Sequence, residues 1–192
     1  MYRADMRDKD VRTAVRARLA ALHRDHEDTL IVEEMGVWAS SVRIDLAVIN
    51  GELAGFELKS DRDTLDRLPL QARVYSQVFD RLTLVVGSRH LEKAVRLIPD
   101  WWEVIVAQSF EDAIELEVER AGGSNPSLDA FLVANLLWKD EALDVLDQYG
   151  LAKGWRGRRI AEIHRHLSAS LPLDLIRTHV RQVLRSRNGW LR

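Results

Sequence analysis

Two acidic residues and one lysine lie in neighbouring segments that both have the pattern of a β-strand. Asp45 belongs to VRIDLAVI, which alternates and is rich in β-branched residues, and Glu57 and Lys59 belong to LAGFELKS. Between the segments, Asn50-Gly51 is a strong hairpin signal. A carboxylate and an ammonium on one face of an otherwise apolar strand indicate either a solvated sheet face or a metal-dependent active site.

The register of this predicted hairpin decides which residues share a face. A two-residue loop sets apolar residues opposite polar ones, whereas a three-residue loop at 50–52 aligns the apolar residues. The predicted pairs in the three-residue register are Ile44 with Leu58, Leu46 with Phe56, and Val48 with Ala54. Asp45 then lies opposite Glu57, and the small residues Ala47 and Gly55 beside them leave room for a substrate. Opposed carboxylates repel each other unless a cation neutralises them, and Mg²⁺ prefers carboxylate oxygens.

The order of the predicted elements indicates an α/β fold with a mixed central sheet flanked by helices and an all-helical C-terminal segment. Strands are predicted at 29–35, 42–49, 53–60, 81–87 and 102–107, and helices at 8–24, 69–79 and 90–98. The segment 113–119 alternates strictly, which suits an edge strand, but its Glu content also suits a helix. We therefore divide the chain into an α/β domain at 1–120, a linker at 121–127 rich in Gly, Ser, Asn and Pro, and a basic helical segment at 128–192.

The charge of the chain is unevenly distributed. The net charge is −2, yet residues 151–192 contain ten Lys and Arg against two acids. Such a segment either binds a polyanion such as nucleic acid or forms a solvent-exposed helical face. Within it, the stretch KGWRGRR interleaves basic residues with Trp and Gly, and it is either a phosphate-binding loop or a charged connection between helices. Its candidate DNA contacts are Lys153, Arg156, Arg158 and Arg159.

Composition excludes several classes of protein. No Cys is present, which rules out disulfides and thiolate metal sites and fits a reducing compartment. No apolar stretch approaches the roughly 18 residues of a membrane span, and the charged N-terminus lacks the apolar segment of a signal peptide. We expect a cytoplasmic protein with no membrane partner, and a homodimer remains open.

The segments RID and ELK, with Gln71 and Tyr75 on one face of the following predicted helix, resemble the PD-(D/E)XK nuclease superfamily. The motif there is an acid in one strand and (Asp/Glu)-x-Lys in the next, commonly with Gln or Tyr on a following helix. The longer string RIDLAVINGELAGFELKSDRDTLDRLPLQARVYSQVFDRLTLVVG is similar to the sce-type family of small bacterial and phage nuclease-like proteins. That similarity continues through PDWW to the C-terminal helices. Ile44 stands where the superfamily name has Pro.

The resemblance implies a restriction-endonuclease-like fold and a metal site for phosphodiester cleavage. Asp45 and Glu57 would bind Mg²⁺ or Mn²⁺ together with the carbonyl of Leu58. Lys59 would orient or help activate the attacking water and stabilise charge on phosphorus. Gln71 would contact the surroundings of the metal or a DNA phosphate.

Two further roles follow from the resemblance. Tyr75 would contact the same surroundings or DNA phosphate. The superfamily often adds an N-terminal acid near the metal, for which Glu33 and Glu34 are the candidates. They point to opposite faces of a strand, so only one can serve, and we favour Glu33.

Three functions are therefore compared. The first is a Mg²⁺- or Mn²⁺-dependent DNA phosphodiesterase, an endonuclease in repair, recombination or mobile-element biology. The second is a non-catalytic DNA-binding or partner-recruiting module on a nuclease-like fold. The third is a structural domain in which the acids and the lysine form a polar sheet face. The intact set of Asp45, Glu57 and Lys59 favours the first.

Overall fold

The central element is a six-stranded mixed sheet whose strands are ordered as they occur in the chain. The computed structural model describes residues 6–38, 41–110 and 113–187. The strands are β1 (Leu30–Val37), β2 (Val42–Ile49), β3 (Leu53–Lys59), β4 (Arg81–Gly87), β5 (Glu103–Phe110) and β6 (Ala113–Arg120). The β3–β4 and β4–β5 pairs are parallel, and the other neighbours are antiparallel. The segment at 113–119 is thus an edge strand.

Seven α-helices are present in the described part of the chain. They are α1 (Asp8–Leu22), α2 (Leu68–Tyr75), α3 (Leu91–Ala94), α4 (Ala130–Ala134), α5 (Lys139–Gln148), α6 (Ile160–Ser170) and α7 (Leu173–Ser186). A 3-10 turn, Val95–Leu97, continues α3. None of these helices has the length and apolar character that a membrane span requires. The predicted mixed α/β fold with C-terminal helices is confirmed.

The two faces of the sheet are covered very differently. Helix α1 packs its Val11, Val15 and Leu19 on one face, against a small cluster that includes Leu46 and Val85. The other face carries α2, α3 and the C-terminal helices in one large hydrophobic cluster. Both parallel crossovers lie on this second face, because consecutive right-handed crossovers that advance in the same direction cover the same side.

The predicted hairpin register is confirmed near the turn and fails at its open end. The structure pairs Leu46 with Phe56 and carries no β2–β3 pair beyond them toward Ile44. Ile44 packs into the cluster on the α2 face, whereas Leu58 packs into the cluster on the α1 face. The predicted Ile44–Leu58 pair is therefore wrong, because β2 does not keep strict alternation through Asp45.

The C-terminal helices are part of the same core as the sheet. Buried residues from α4 to α7 share a cluster with buried residues from β2 to β5. The predicted linker at 121–127 is held against the body by hydrogen bonds: the Gly123 N–H donates to the carbonyl of Trp101 (2.8 Å), and the Asn125 side chain donates to the carbonyl of Phe79 (2.8 Å). The segment after the linker therefore folds onto the sheet.

Asp80 is the charged residue through which α7 is joined to the sheet. Its side chain is 5% exposed. One carboxylate oxygen accepts a hydrogen bond from the Leu53 N–H at the start of β3 (2.7 Å), and the other pairs with Arg177 (2.7 Å). Arg181 approaches the same carboxylate at 3.5 Å. Burial makes this pair sensitive to the loss of one partner, because the remaining charges keep their desolvation cost.

We expect Asp80→Ala to lower the free energy of unfolding by about 3 kcal/mol, since it removes the acceptor of the Leu53 N–H and the buried carboxylate that pairs with Arg177 and Arg181. Asp174→Ala is the matched control: Asp174 also pairs with Arg177, but its side chain is 88% exposed, so the loss should stay below about 1 kcal/mol. Denaturant unfolding measures both values. Equal losses would contradict a structural role for Asp80.

Candidate active site

A charged cavity of about 550 Å³ lies where β2 and β3 separate, between α1 and α2. Its acidic lining residues are Asp8, Glu34, Asp45, Glu57 and Asp63. Its basic lining residues are Arg12, Arg43, Lys59 and Arg67. The predicted acids and lysine of β2 and β3 therefore do meet in one cavity, together with charged residues from α1, from β1 and from the connection between β3 and α2.

The cavity exists because the β2–β3 ladder stops before the site. The last registered pair is Leu46 with Phe56. Beyond it, the Leu58 N–H donates to Oδ2 of Asp45 at 2.8 Å. The Asp45 carboxylate thus replaces the backbone carbonyl that would accept this hydrogen bond in a continuing ladder. The two strands can therefore diverge without leaving a buried N–H unpaired.

The β1–β2 ladder is distorted at the same level. Glu33 pairs with Leu46 and Met35 pairs with Ile44, but Glu34 between them has a φ of 53°. This left-handed conformation is unfavourable for a residue with a side chain. This backbone conformation directs the Glu34 side chain to the wall of the cavity, which Asp45 also lines.

Glu57, Lys59 and Gln71 form a buried polar cluster, with exposures of 1%, 5% and 7%. The Lys59 ammonium donates to Oε1 of Glu57 (2.5 Å), and the Gln71 amide donates to the same oxygen (2.6 Å). Oε2 of Glu57 and Oε1 of Gln71 are buried without a hydrogen-bond partner. Two unsatisfied acceptor oxygens thus lie on two side chains that are hydrogen-bonded to each other. Burying such oxygens costs free energy unless a hydrogen-bond donor or a cation binds them.

The environment of the two acids disfavours their ionised forms. Burial raises the pKa of Glu57 to about 7, and the charge of Asp45 adds to this effect, while Lys59 and Gln71 oppose it. Burial also raises the pKa of Asp45, although the Leu58 N–H and Arg12 act against it. A bound cation would stabilise both carboxylates, since opposite charge favours the ionised form.

Arg12 of α1 makes the closest contact to Asp45. Its Nη2 lies 2.7 Å from Oδ1 of Asp45, and its Nη1 donates to the Asp45 carbonyl at 3.1 Å. Glu34 and Asp8 also lie within ion-pair distance of the guanidinium. A helix that packs on one face of the sheet thereby contributes to a cavity that α2 closes from the other face.

The structure contradicts a DNA contact for Tyr75 but places its hydroxyl beside Gln71, within the predicted surroundings of the metal. This side chain has no exposed surface, and its hydroxyl donates to the carbonyl of Arg43 at 2.5 Å. Its oxygen lies 3.5 Å from the Gln71 amide nitrogen. Tyr75 therefore cannot reach DNA in this conformation, and it supports the position of Gln71 and of the strand that carries Asp45.

The choice of Glu33 as the N-terminal acid is also corrected. Glu33 does not line the cavity: its carboxylate pairs with Arg16 at 2.6 Å and lies 4.0 Å from the Arg12 guanidinium. Glu34 takes the place in the cavity because of its left-handed backbone. The space predicted beside Gly55 is filled as well: a Cβ there would lie 2.5 Å from Cδ1 of Ile44.

The basic stretch predicted to bind DNA is an exposed loop between α5 and α6. Lys153, Arg156, Arg158 and Arg159 are all exposed. Its Trp155 stacks on His166 with ring centroids 3.9 Å apart and an interplanar angle of 5°. The aromatic ring is therefore used to hold the loop, and the basic side chains are the groups presented to solvent.

The site fits a hard divalent cation only in part. Asp45 and Glu57 supply two carboxylates, Leu58 lines the cavity, and the free oxygens of Glu57 and Gln71 match the preference of Mg²⁺ for oxygen ligands. Among the described residues, no three His, Cys, Asp or Glu side chains form a metal-binding group. Such a set suits an ion that keeps several of its waters.

The sequence-based search missed the cavity residues Arg12 and Arg67, and it named Glu34 only as the alternative to Glu33. Arg12 lies one helical turn after Asp8, a spacing that puts both on one side of α1, but nothing local says that this side meets β2. Asp63, which also lines the cavity, accepts hydrogen bonds from the N–H and hydroxyl of Ser60, so it fixes the turn after β3.

The left-handed backbone at Glu34 can be tested with a pair of variants. Both Glu34→Gly and Glu34→Ala remove the carboxylate, but we expect the Gly variant to be more stable by about 1 kcal/mol, because only Gly adopts this φ without a Cβ clash. The same pair at Glu33, in extended strand, should have the opposite order. Thermal or denaturant unfolding gives both differences. The same order at both positions would contradict the distorted ladder.

Comparison with known proteins places the chain in a family. The family model described as Bacteriophage P4 protein cII matches residues 1–189. Protein cII of Enterobacteria phage P4 is 30% identical over 164 residues, which are 83% of this chain and 60% of that relative. The chain therefore spans about 60% of the length of this relative. No solved structure matches the chain significantly. Because the family model covers nearly all of its residues, the chain belongs to the phage P4 protein cII family.

Proposed function

We propose that the protein is a metal-dependent DNA phosphodiesterase, an endonuclease-like enzyme that acts in repair, recombination or mobile-element biology within the cytoplasm. The observation that carries this proposal is the convergence of Asp45, Glu57 and Lys59 in one cavity at the point where β2 and β3 separate. The unpartnered oxygens of Glu57 and Gln71 support a cation at this position. The resemblance of RID and ELK to the PD-(D/E)XK motif supports the same chemistry.

Each residue of the buried cluster has a proposed role. When bound by Asp45 and Glu57, Mg²⁺ or Mn²⁺ would supply Lewis-acid chemistry at the phosphodiester. Lys59 donates hydrogen bonds from a buried ammonium, which stabilises negative charge as it develops on phosphate oxygens. Gln71 holds Glu57 through its amide, so that the carboxylate cannot rotate freely.

The electrostatics of the cavity change sign with a bound cation. The lining residues include five acids and four bases, a formal charge of −1. A divalent ion converts this to a positive charge, which attracts the phosphate backbone of DNA. The exposed basic loop at 153–159 would add contacts that do not depend on sequence.

The ion pairs of Asp45 and Glu57 with basic residues of the same chain favour a second candidate function, a non-catalytic one. Asp45 is bonded to Arg12 and Glu57 to Lys59, so each carboxylate already has a positive partner. Such a site suits a non-catalytic DNA-binding or partner-recruiting module on a nuclease-like fold. That module would bind DNA and cleave none of the substrates below.

Cleavage of branched, nicked, single-stranded and linear DNA with Mg²⁺ or Mn²⁺ tests the proposal. We expect Glu57→Gln and Lys59→Met to reduce the cleavage rate about 100-fold or more, because the first removes a charged ligand of the cation and the second removes a positive charge that acts on the reacting phosphate. The affinity for DNA should change much less, since most of it comes from backbone contacts elsewhere.

The matched control is Glu52→Gln, a carboxylate in the turn before β3 that pairs with Arg81 outside the cavity. This variant should cleave like the wild type. Equal cleavage by the wild type, Glu57→Gln and Lys59→Met would refute the catalytic assignment. DNA binding without cleavage by the wild type would support the non-catalytic module.

The basic loop is tested by the salt dependence of DNA binding. Replacing Lys153, Arg156 and Arg159 together by Gln should reduce the slope of log K against log salt by about 0.9 for each phosphate contact that is lost. The matched control replaces Arg89, Lys93 and Arg96 by Gln; these are three exposed bases in α3 and in the residues that flank it. An equal reduction in both triple variants would show a general effect of charge and contradict a specific loop contact.

A further inference from the structure

Arg12 occupies the position that a cation would take at Asp45. Its guanidinium contacts Oδ1 of Asp45 at 2.7 Å, while Oδ2 of Asp45 accepts from the Leu58 N–H. Both oxygens of this carboxylate are thus engaged. Glu57 differs, because its Oε1 receives both Lys59 and Gln71 and its Oε2 remains free. A cation can therefore reach Glu57 without displacing Lys59, but at Asp45 it meets the guanidinium.

The surroundings of Arg12 allow it to move without leaving the cavity. The side chain is 19% exposed, so it has a path to solvent that the buried Lys59 lacks. Glu34 at 3.1 Å and Asp8 at 3.4 Å are two further acidic partners of this guanidinium in the cavity, and Glu33 lies 4.0 Å from it. These two acids keep the guanidinium in place once its bond to Asp45 is lost.

We propose that Arg12 and a divalent cation bind Asp45 alternately, and that the displaced guanidinium then binds a phosphate of the substrate. The inference rests on the proposed function and assigns Arg12 as a positioning and anion-binding residue of the same site. A planar guanidinium suits two parallel hydrogen bonds to a phosphate. Cation binding and anion binding are then coupled, because the first frees the group that serves the second.

The coupling has an electrostatic reason. In the metal-free protein, Arg12 compensates a half-buried carboxylate whose burial disfavours charge. The cation takes over this compensation and repels the guanidinium, which has like charge. Arg12 then faces a cavity whose formal charge has changed from −1 to +1, and an anion becomes the favourable partner.

Mn²⁺ titration by calorimetry tests the first half of the inference. We expect Arg12→Met to bind Mn²⁺ about tenfold more tightly than the wild type, since no guanidinium must be displaced; this corresponds to about 1.4 kcal/mol. Arg16→Met is the matched control, because Arg16 lies one turn further along α1 and pairs with Glu33 outside the cavity. That variant should bind Mn²⁺ like the wild type.

Sulfate, which resembles phosphate in shape and charge and keeps Mn²⁺ in solution, tests the second half. Sulfate should tighten Mn²⁺ binding by the wild type and by Arg16→Met, but not by Arg12→Met, because binding free energies are coupled reciprocally. The same sulfate effect in all three proteins would overturn the role of Arg12 in anion binding.

The outcomes separate this inference from the proposed function. Unchanged or weaker Mn²⁺ binding by Arg12→Met, with clear binding by the wild type, would mean that Arg12 only clamps α1 to β2 and would overturn the inference alone. No Mn²⁺ binding by any of the three proteins would overturn the metal site and the inference together. Melting curves with and without Mn²⁺ verify that each variant is folded.

Discussion

The hydrogen bond from the Leu58 N–H to the Asp45 carboxylate is the contact on which the site depends. In a continuous hairpin this donor would bond to a backbone carbonyl of the neighbouring strand, and β2 and β3 would stay together to their ends. Because a side chain satisfies the donor instead, the strands diverge, and the gap becomes the cavity. The same bond holds the Asp45 carboxylate in the cavity that Glu57 also lines. One interaction therefore opens the space and places an acid in it.

Charge balance is the second constraint on the cavity. Several carboxylates share a partly buried space, and they are tolerated because bases from other elements neutralise them. Lys59 is fixed against Glu57 deep in the cluster, whereas Arg12 approaches Asp45 from α1 with part of its side chain exposed. The two base–acid pairs are thus not equivalent. The fully buried pair maintains the cluster, and the partly exposed Arg12–Asp45 pair is the one that a ligand could exchange.

In the C-terminal segment, part of the formal excess of positive charge is neutralised by ion pairs with acids of the same chain. Arg177 and Arg181 pair with Asp80, and Arg187 pairs with Glu141. These arginines join helices to the sheet and to one another, so they add little to the electrostatic surface. The bases of the loop at 153–159 remain exposed. A charge count over a segment therefore overstates what it presents to a polyanion, because burial and pairing are decided by packing.

The sequence by itself determined the mixed α/β fold, the hairpin turn and the strands that carry Asp45, Glu57 and Lys59, because alternation and turn signals are local properties. Only the tertiary structure decided that Glu34 and not Glu33 enters the cavity, that Tyr75 is buried, and that the acids meet across a broken ladder. These depend on a left-handed backbone and on contacts between residues far apart in the chain. Arg12 lies 33 residues before Asp45, and no local pattern could bring the two together.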